Sequence, residues 1–250
     1  SITVPPESNL NEVLADPSVI LVTLLPGKYY LTDILKIKRK GFQIQGDSIS
    51  DQIHIIQTNP NKDGISIEAN DVVIRNVSLH VPHSNKVALI VSSSNNTKVT
   101  DCHFYGNNDF FTVYYAGPSN LTAGVSTLQA YQTGALDKRN VFRRNIVYTN
   151  FSGDSVSFSL QKEATFSQNI IRGGKVAVYM CTDTMVDRNR IYDSSSQGIF
   201  ISLPSHRVVI SENSIYHCNQ SGITIKQQTE HIDPSGQLNK VSDYNIKVNG

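Results

Sequence analysis

Apolar and polar positions recur along this chain in one order. An apolar residue is followed, after two variable residues, by a place often filled by asparagine, and two positions later by a second apolar residue. Copies start at Ile44, Ile74, Val99, Phe142, Phe166, Val186, Ile210 and Val241, and asparagine fills the middle place at Asn145, Asn169, Asn189 and Asn213. The starts lie 30, 25, 43, 24, 20, 24 and 31 residues apart, so the repeat is regular except at one long interval. A second apolar patch precedes most copies, at residues 65–67, 89–91, 111–113, 156–158, 176–178, 199–201 and 223–225. Each patch alternates apolar and polar residues, the signature of a strand with one face buried. Turn-forming runs such as Asn95-Asn96, Gly106-Asn107-Asn108 and Asn219-Gln220-Ser221-Gly222 separate them. Strand, turn, strand and turn within each repeat predict one coil of a parallel β-solenoid. With strands about 4.8 Å apart, eight coils make a rod roughly 40 Å long.

The asparagine column has a physical reason. Asn tolerates left-handed backbone, and its amide both donates and accepts, so stacked amides inside a turn can satisfy backbone groups that lose their ladder partners. The alternative is that these residues only mark exposed turns. Val77 and Cys102 take the place in earlier copies. Near the N-terminus, Asn9 with Glu12 forms a variant capping box, and Leu10, Val13 and Leu14 share a helical face before Pro17. A short helix there is expected to cover the open end of the core.

The run Leu25-Pro26-Gly27-Lys28-Tyr29-Tyr30-Leu31, with Ile34 to Ile37, Gly41 to Ile44 and Gly46, resembles the first coils of the pectate-lyase-like superfamily. The resemblance covers nearly the whole chain at the level of fold. It implies an all-β, single-stranded right-handed parallel β-helix of about eight or more coils with an N-terminal capping helix. Most members act on or bind polysaccharides. One β-helix domain over 1–250 is expected, with 1–18 as cap and a long insertion at 116–140.

Composition narrows the function. Asn (22) and Ser (28) make one fifth of the 250 residues, which does not suit a helical bundle. The 22 basic against 21 acidic side chains give a net charge of +1, so no nucleic-acid partner is expected. No apolar run approaches the ~20 residues of a membrane span. Cys102, Cys181 and Cys218 are widely spaced and are expected to be reduced. The chain starts at Ser1 without Met, so it is expected to be processed or cut from a longer protein. Five glycosylation sequons, at Asn76, Asn95, Asn120, Asn150 and Asn219, do not establish secretion in so Asn-rich a chain.

Stacking the coils at the repeat period brings outward residues into columns. Two places before each first-strand core residue stand Asp63, Val87, Asp109, Asp154, Gly174, Gln197 and Ser221. Asp109 and Asp154 thus fall on neighbouring coils about 5 Å apart. Two such carboxylates share a proton, bind calcium or divide acid and base roles; the alternative is two turn residues capping backbone N–H groups. Tyr114, Tyr179 and Phe200 provide stacking surfaces for sugar rings, and Lys162, Lys175 and Lys226 provide charge for a uronate or sulfate; the competing reading is ordinary surface. The insertion, about 20 residues beyond a plain coil, carries Tyr131, Lys138 and Arg139 and either closes over the carboxylates or makes an oligomer contact.

Named catalytic patterns of the superfamily are absent. Gly153-Asp154-Ser155, Ser196-Gln197-Gly198 and Thr224-Ile225-Lys226 stand where polygalacturonase-like hydrolases carry Gly-Asp-Asp, Gly-His-Gly and Arg-Ile-Lys. Asp233-Pro234-Ser235 lacks the histidine of alginate epimerase-like members, and Arg143-Arg144 carries no pectate-lyase arginine motif. His80 and His83 have loop spacing for a metal but no third ligand. The expected function is lyase or hydrolase action on an acidic glycan, with epimerase action a further enzymatic option. The weak match to each of these catalytic patterns favours a non-catalytic alternative. Asp109, Asp154 and Lys175 are the candidate catalytic residues; Tyr114, Tyr179, Phe200, Lys162, Lys226 and Tyr131 are the candidate substrate contacts. No cofactor is assigned, and calcium at Asp109 and Asp154 is the option. The alternative is a non-catalytic glycan- or receptor-binding spike of a viral or surface protein. Polysaccharide is the expected partner, the state monomer or homotrimer, and the location extracellular, cell-surface or virion-associated.

Overall fold

The computed structural model describes residues 1–250 except 108–109, 122–124, 151–152, 203, 227, 233–234, 236, 243–245 and 250. Its strands form three long parallel sheets, one of ten strands and two of eight, and each strand bonds to the strand one coil later. The chain therefore winds as a parallel β-helix, with right-handed crossovers as the twist of L-residue strands requires.

Alternation decides what goes inside. In the ten-stranded sheet Ile44, Ile74, Val99, Phe142, Phe166, Val186 and Ile210 stack in register, all at most 1% exposed. The first eight-stranded sheet contributes Tyr29, Ile55, Leu79, Phe104, Val147, Ile171 and Ile191. The second contributes Leu35, Ile65, Leu89, Val113, Val156, Val176 and Ile199. Phe142 and Phe166 stack at 5.5 Å with rings nearly parallel. Identical positions stack on one another, so each added coil buries the open face of the last.

Two repeat copies are corrected. Ile49 is 61% exposed, because a 3-10 turn at Ser50–Gln52 lengthens the bend and Ile55 takes the core place. Val241 lies in an antiparallel hairpin, Gln228–Ile232 with Leu238–Ser242; Val248 is the residue that stacks on Ile210. Tyr244, the middle place of that copy, lies outside the described residues.

The turn between the ten-stranded sheet and the next also differs from expectation. The left-handed residue is the one before the asparagine column: Asp101, Arg144, Gln168, Arg188 and Glu212 all have φ between 52° and 57°. The asparagines act through their side chains. Oδ1 of Asn169 accepts from the Asn145 N–H, Oδ1 of Asn189 from the Asn169 N–H, and Oδ1 of Asn213 from the Asn189 N–H, each at 2.9 Å. Their Nδ2 groups donate to the carbonyls of Phe142, Phe166 and Val186.

At the N-terminus the helix spans only Leu10–Ala15, with Asn9 Oδ1 accepting from the Asn11 and Glu12 N–H groups. Leu10 is buried, and Val13 and Leu14 pack against the core. The outermost strand of the ten-stranded sheet there is Ile2–Val4. No helix among the described residues is long and apolar enough to cross a membrane. Cys102 and Cys181 are free and buried, and burial pushes both thiols up to about 12.

Candidate functional site

The outer face of the second eight-stranded sheet carries the site, over the strands Phe111–Gly117, Asp154–Ser159, Lys175–Tyr179 and Ile199–Ser202. Its register departs from the sequence expectation. The core pair on the first of these strands is Val113 and Tyr115, both fully buried, and not Phe111 and Val113. Phe111 faces outward and stacks on Tyr114, centroids 4.3 Å apart and planes 11° apart. Aromatic residues on both faces of one strand make the alternation ambiguous by two positions.

That shift changes the neighbours. Asp154 pairs in register with Phe111 on the preceding coil and with Lys175 on the next. The column at Asp154 thus reads ring, carboxylate and ammonium in sequence, and Asp109 lies outside the described residues. Ser155 is an extra residue against the following coil, since Asp154 faces Lys175 and Val156 faces Val176. Its buried hydroxyl donates to Thr149 Oγ1 at 3.1 Å and accepts from the Gly174 N–H at 3.0 Å, which holds the bulge.

Asp154 is 5% exposed and its Oδ1 lies 2.8 Å from Lys175 Nζ. Burial raises the Asp154 pKa above the ordinary value, opposed by the bond to and charge of Lys175. Lys175 Nζ also sits 5.8 Å over the Phe200 ring, whose centroid is 6.0 Å from that of Tyr179. Burial pushes the Tyr179 phenol up, and the Asp154 charge adds to the shift, so this hydroxyl stays neutral.

A groove of about 270 Å³ opens on the same strands, lined by Phe111, Tyr114, Ser157, Ser159, Tyr179 and Thr127 among others; Asp154 and Lys175 are not in its lining. Tyr114 pairs with Ser157, and Ser159 with Tyr179, so the two tyrosines stand in adjacent columns, not one. They nonetheless border the same space. Ser157 is fully buried and its Oγ has no hydrogen-bond partner among the described residues. Sequence reading missed both Phe111 and Ser157; the outward alternation from Val156 could have found Ser157.

One wall of the groove comes from the insertion. Its helix, Thr127–Gln132, is capped by a box in which Ser126 and Gln129 bond reciprocally. Ala130, Tyr131 and Leu136 pack on Leu160 and Met180 in a small apolar cluster of their own. Tyr131 is thereby 8% exposed, and its hydroxyl donates to the Cys181 carbonyl at 3.4 Å. Tyr131 and Lys162 line a separate cavity of about 560 Å³ beyond the helix, not the groove. Lys226 is exposed after the strand Ile223–Ile225, two strands past Lys175–Tyr179. Among the described residues no group of three His, Cys, Asp or Glu side chains is placed to hold a metal. Asp154, the described member of the expected calcium pair, is engaged by Lys175. His80 and His83 diverge: His80 Nε2 lies 3.0 Å from His54 Nδ1, and His83 Nε2 lies 3.1 Å from the Gln57 carbonyl oxygen.

The family described as right handed beta helix region matches residues 125–233. A search of curated protein sequences finds no match. Among solved structures, the Dettilon tailspike protein superposes on 92% of this chain with a TM-score of 0.68 and 11% identity. The chain spans 47% of that tailspike's length. Escherichia coli ybhc covers 99% of this chain, and 85% of its own, at a TM-score of 0.52 and 11% identity. The Agl-KA catalytic domain covers 96% of this chain, and 46% of its own, at a TM-score of 0.50 and 14% identity. Identities this low speak for the fold alone, a right-handed β-helix.

Proposed function

We propose that the protein binds an acidic polysaccharide along the outer face of the second eight-stranded sheet and acts on it as a lyase or hydrolase. The observation that carries this reading is the groove of about 270 Å³, lined by the Phe111, Tyr114 and Tyr179 rings, on the same strands as the buried Asp154–Lys175 pair. That pair stands in register with Phe111, outside the groove lining. Rings offer apolar faces to sugar C–H groups. Lys175 supplies positive charge to a uronate carboxylate. Asp154, whose pKa is raised by burial, is the group suited to hold and pass on a proton. Tyr179, pushed upward, donates a hydrogen bond in preference to accepting a proton.

The tailspike likeness favours a virion or cell-surface location, and homotrimer assembly is the state to test by sedimentation. A second reading, a glycan-binding spike without catalysis, draws support from the same ion pair. A carboxylate already satisfied by a lysine at 2.8 Å needs no substrate to complete it.

The test is a panel of uronate polymers incubated with the protein and with Asp154→Asn and Tyr114→Ala/Tyr179→Ala variants. Cleavage lost in the first and binding lost in the second is the expected result. Cleavage that survives Asp154→Asn removes the assignment of that residue. Binding without product from any polymer selects the spike reading, and binding untouched by the tyrosine changes removes the groove.

A further inference from the structure

The cavity beyond the insertion helix has a different character from the groove. Four of its residues are stacked coil upon coil: Lys138 pairs with Lys162, Lys162 with Thr182, and Thr182 with His206. Arg207 stands next to them, and the turn from Tyr131 to Gly134 forms the opposite wall of a space of about 560 Å³. Strand spacing puts Lys138 and Lys162 about 4.8 Å apart at the backbone, where like charges directly opposite one another are destabilising.

The acids nearby are committed elsewhere. Asp183 receives Arg207 through two bonds, with Nη2 to Oδ2 at 3.0 Å, and Glu163 lies 3.8 Å from Arg139. The salt bridges among the described residues include neither Lys138 nor Lys162. Arg207 Nη2 also donates to Thr182 Oγ1, which fixes its plane at the rim. The charge of Lys162 also acts on the Asp183 carboxylate, but Lys138, Lys162 and Arg207 together outnumber that one acid, and the surplus focuses positive potential in the concave space.

We infer that this cavity is an oxyanion-binding site, with Lys138 and Lys162 as its charged contacts and Thr182 one coil beyond Lys162. Resting on the reading above, its ligand is the carboxylate or sulfate of the glycan held in the groove. The two spaces adjoin, because Leu160 and Met180 line the groove while Lys162 and Thr182, two residues further along the same coils, line the cavity. The insertion helix, packed on Leu160 and Met180, divides them. One glycan chain can thus place a ring on the tyrosines and a charged substituent beyond the partition. Arg207, tied to Asp183, is a rim residue and not the primary contact.

Two measurements on the whole chain test this. Sodium sulfate and sodium chloride at matched ionic strength are compared for thermal protection of the wild type, Lys138→Met/Lys162→Met and Tyr114→Ala/Tyr179→Ala. Calorimetry then compares oligouronates, sulfated oligosaccharides and carboxyl-reduced neutral analogues on the same three proteins. The expected result is sulfate protection in the wild type and the tyrosine variant that exceeds the general kosmotropic stabilisation left in the lysine variant. Charged oligosaccharides bind the lysine variant roughly tenfold or more weakly, while the neutral analogue is unaffected. A larger loss with sulfated than with uronate ligands, or the reverse, names the substituent. Equal protection by sulfate and chloride in the wild type overturns the site, as does an unchanged charged-to-neutral preference in the lysine variant. Sulfate protection that depends on the lysines, with no glycan bound by any protein, overturns the glycan reading of the groove and leaves the anion site standing.

Discussion

Removing Lys175 while leaving Asp154 in place tests the chemistry of the site through its energetics. At 2.8 Å, with an effective dielectric of about 20, the attraction between the two groups is about 6 kcal/mol before desolvation. Desolvation of both ions takes back most of that in the intact pair. The variant Lys175→Met keeps the cost of burying the carboxylate and loses the compensation, which in buried pairs amounts to about 3–5 kcal/mol. Lys175 keeps 20% of its side chain exposed, so the low end, about 3 kcal/mol, applies. The sign with pH follows from the direction of the shift. Burial already raises the Asp154 pKa, and removing Lys175 removes the opposing contributions, so it rises further. A carboxyl whose folded pKa is raised contributes stability fully below its unfolded pKa and loses it as pH climbs through the folded value. Urea unfolding followed by far-ultraviolet circular dichroism should therefore show Lys175→Met close to wild type near pH 4 and about 3 kcal/mol weaker near pH 8. Adding Asp154→Asn should narrow the deficit at pH 8. An equal deficit at both pH values, or none at either, would refute the idea that Lys175 compensates a buried charge.

Other outcomes are as definite. Asp137 is 3% exposed, its Oδ2 lacks a partner among the described residues, and burial pushes its carboxyl up to about 6. Stability should fall by about 3 kcal/mol as pH rises between its unfolded value near 4 and about 6, and Asp137→Asn should flatten that part of the midpoint-against-pH curve. Asn169→Ala strands the Asn145 N–H and the Phe142 carbonyl inside the turn, while Asn189 Oδ1 keeps the backbone N–H of residue 169, so unfolding midpoints should report a loss of about 2–3 kcal/mol. A change under about 1 kcal/mol would mean water replaces the amide. Gly173 has φ +102°, and a Cβ there would run into the Thr149 carbonyl, so Gly173→Ala should cost about 4 kcal/mol or abolish soluble expression. Near-normal yield and an unchanged melting curve would show that the coil can shift there.

The winding was legible because coils are locally stabilised. Ile74, Val99, Phe142, Phe166, Val186 and Ile210 recur at the repeat period, and the structure stacks all six in one column. The pattern failed at Ile49 and Val241, where a 3-10 turn and a hairpin add residues without breaking the apolar rhythm. Tyr114, Tyr179, Phe200, Asp154 and Lys175 were recognisable as outward residues on consecutive coils. Tyr131 was not recognisable as a packing residue, because its burial depends on Leu160 and Met180, both held in left-handed turns that turn their side chains toward the insertion.

Sequence alone determined the architecture: an apolar period of about one coil has no other way to bury itself than by stacking on its own copies. The tertiary structure decided which outward residues meet. Phe111 and Val113 are equally apolar, and only packing chose Val113 with Tyr115 for the core and sent Phe111 out to stack on Tyr114. Ser155 then added one residue to a strand without altering hydrophobicity, bringing Asp154 opposite Lys175. Column membership depends on absolute register, and a buried serine that satisfies its own hydrogen bonds can move that register unseen by any pattern of polarity.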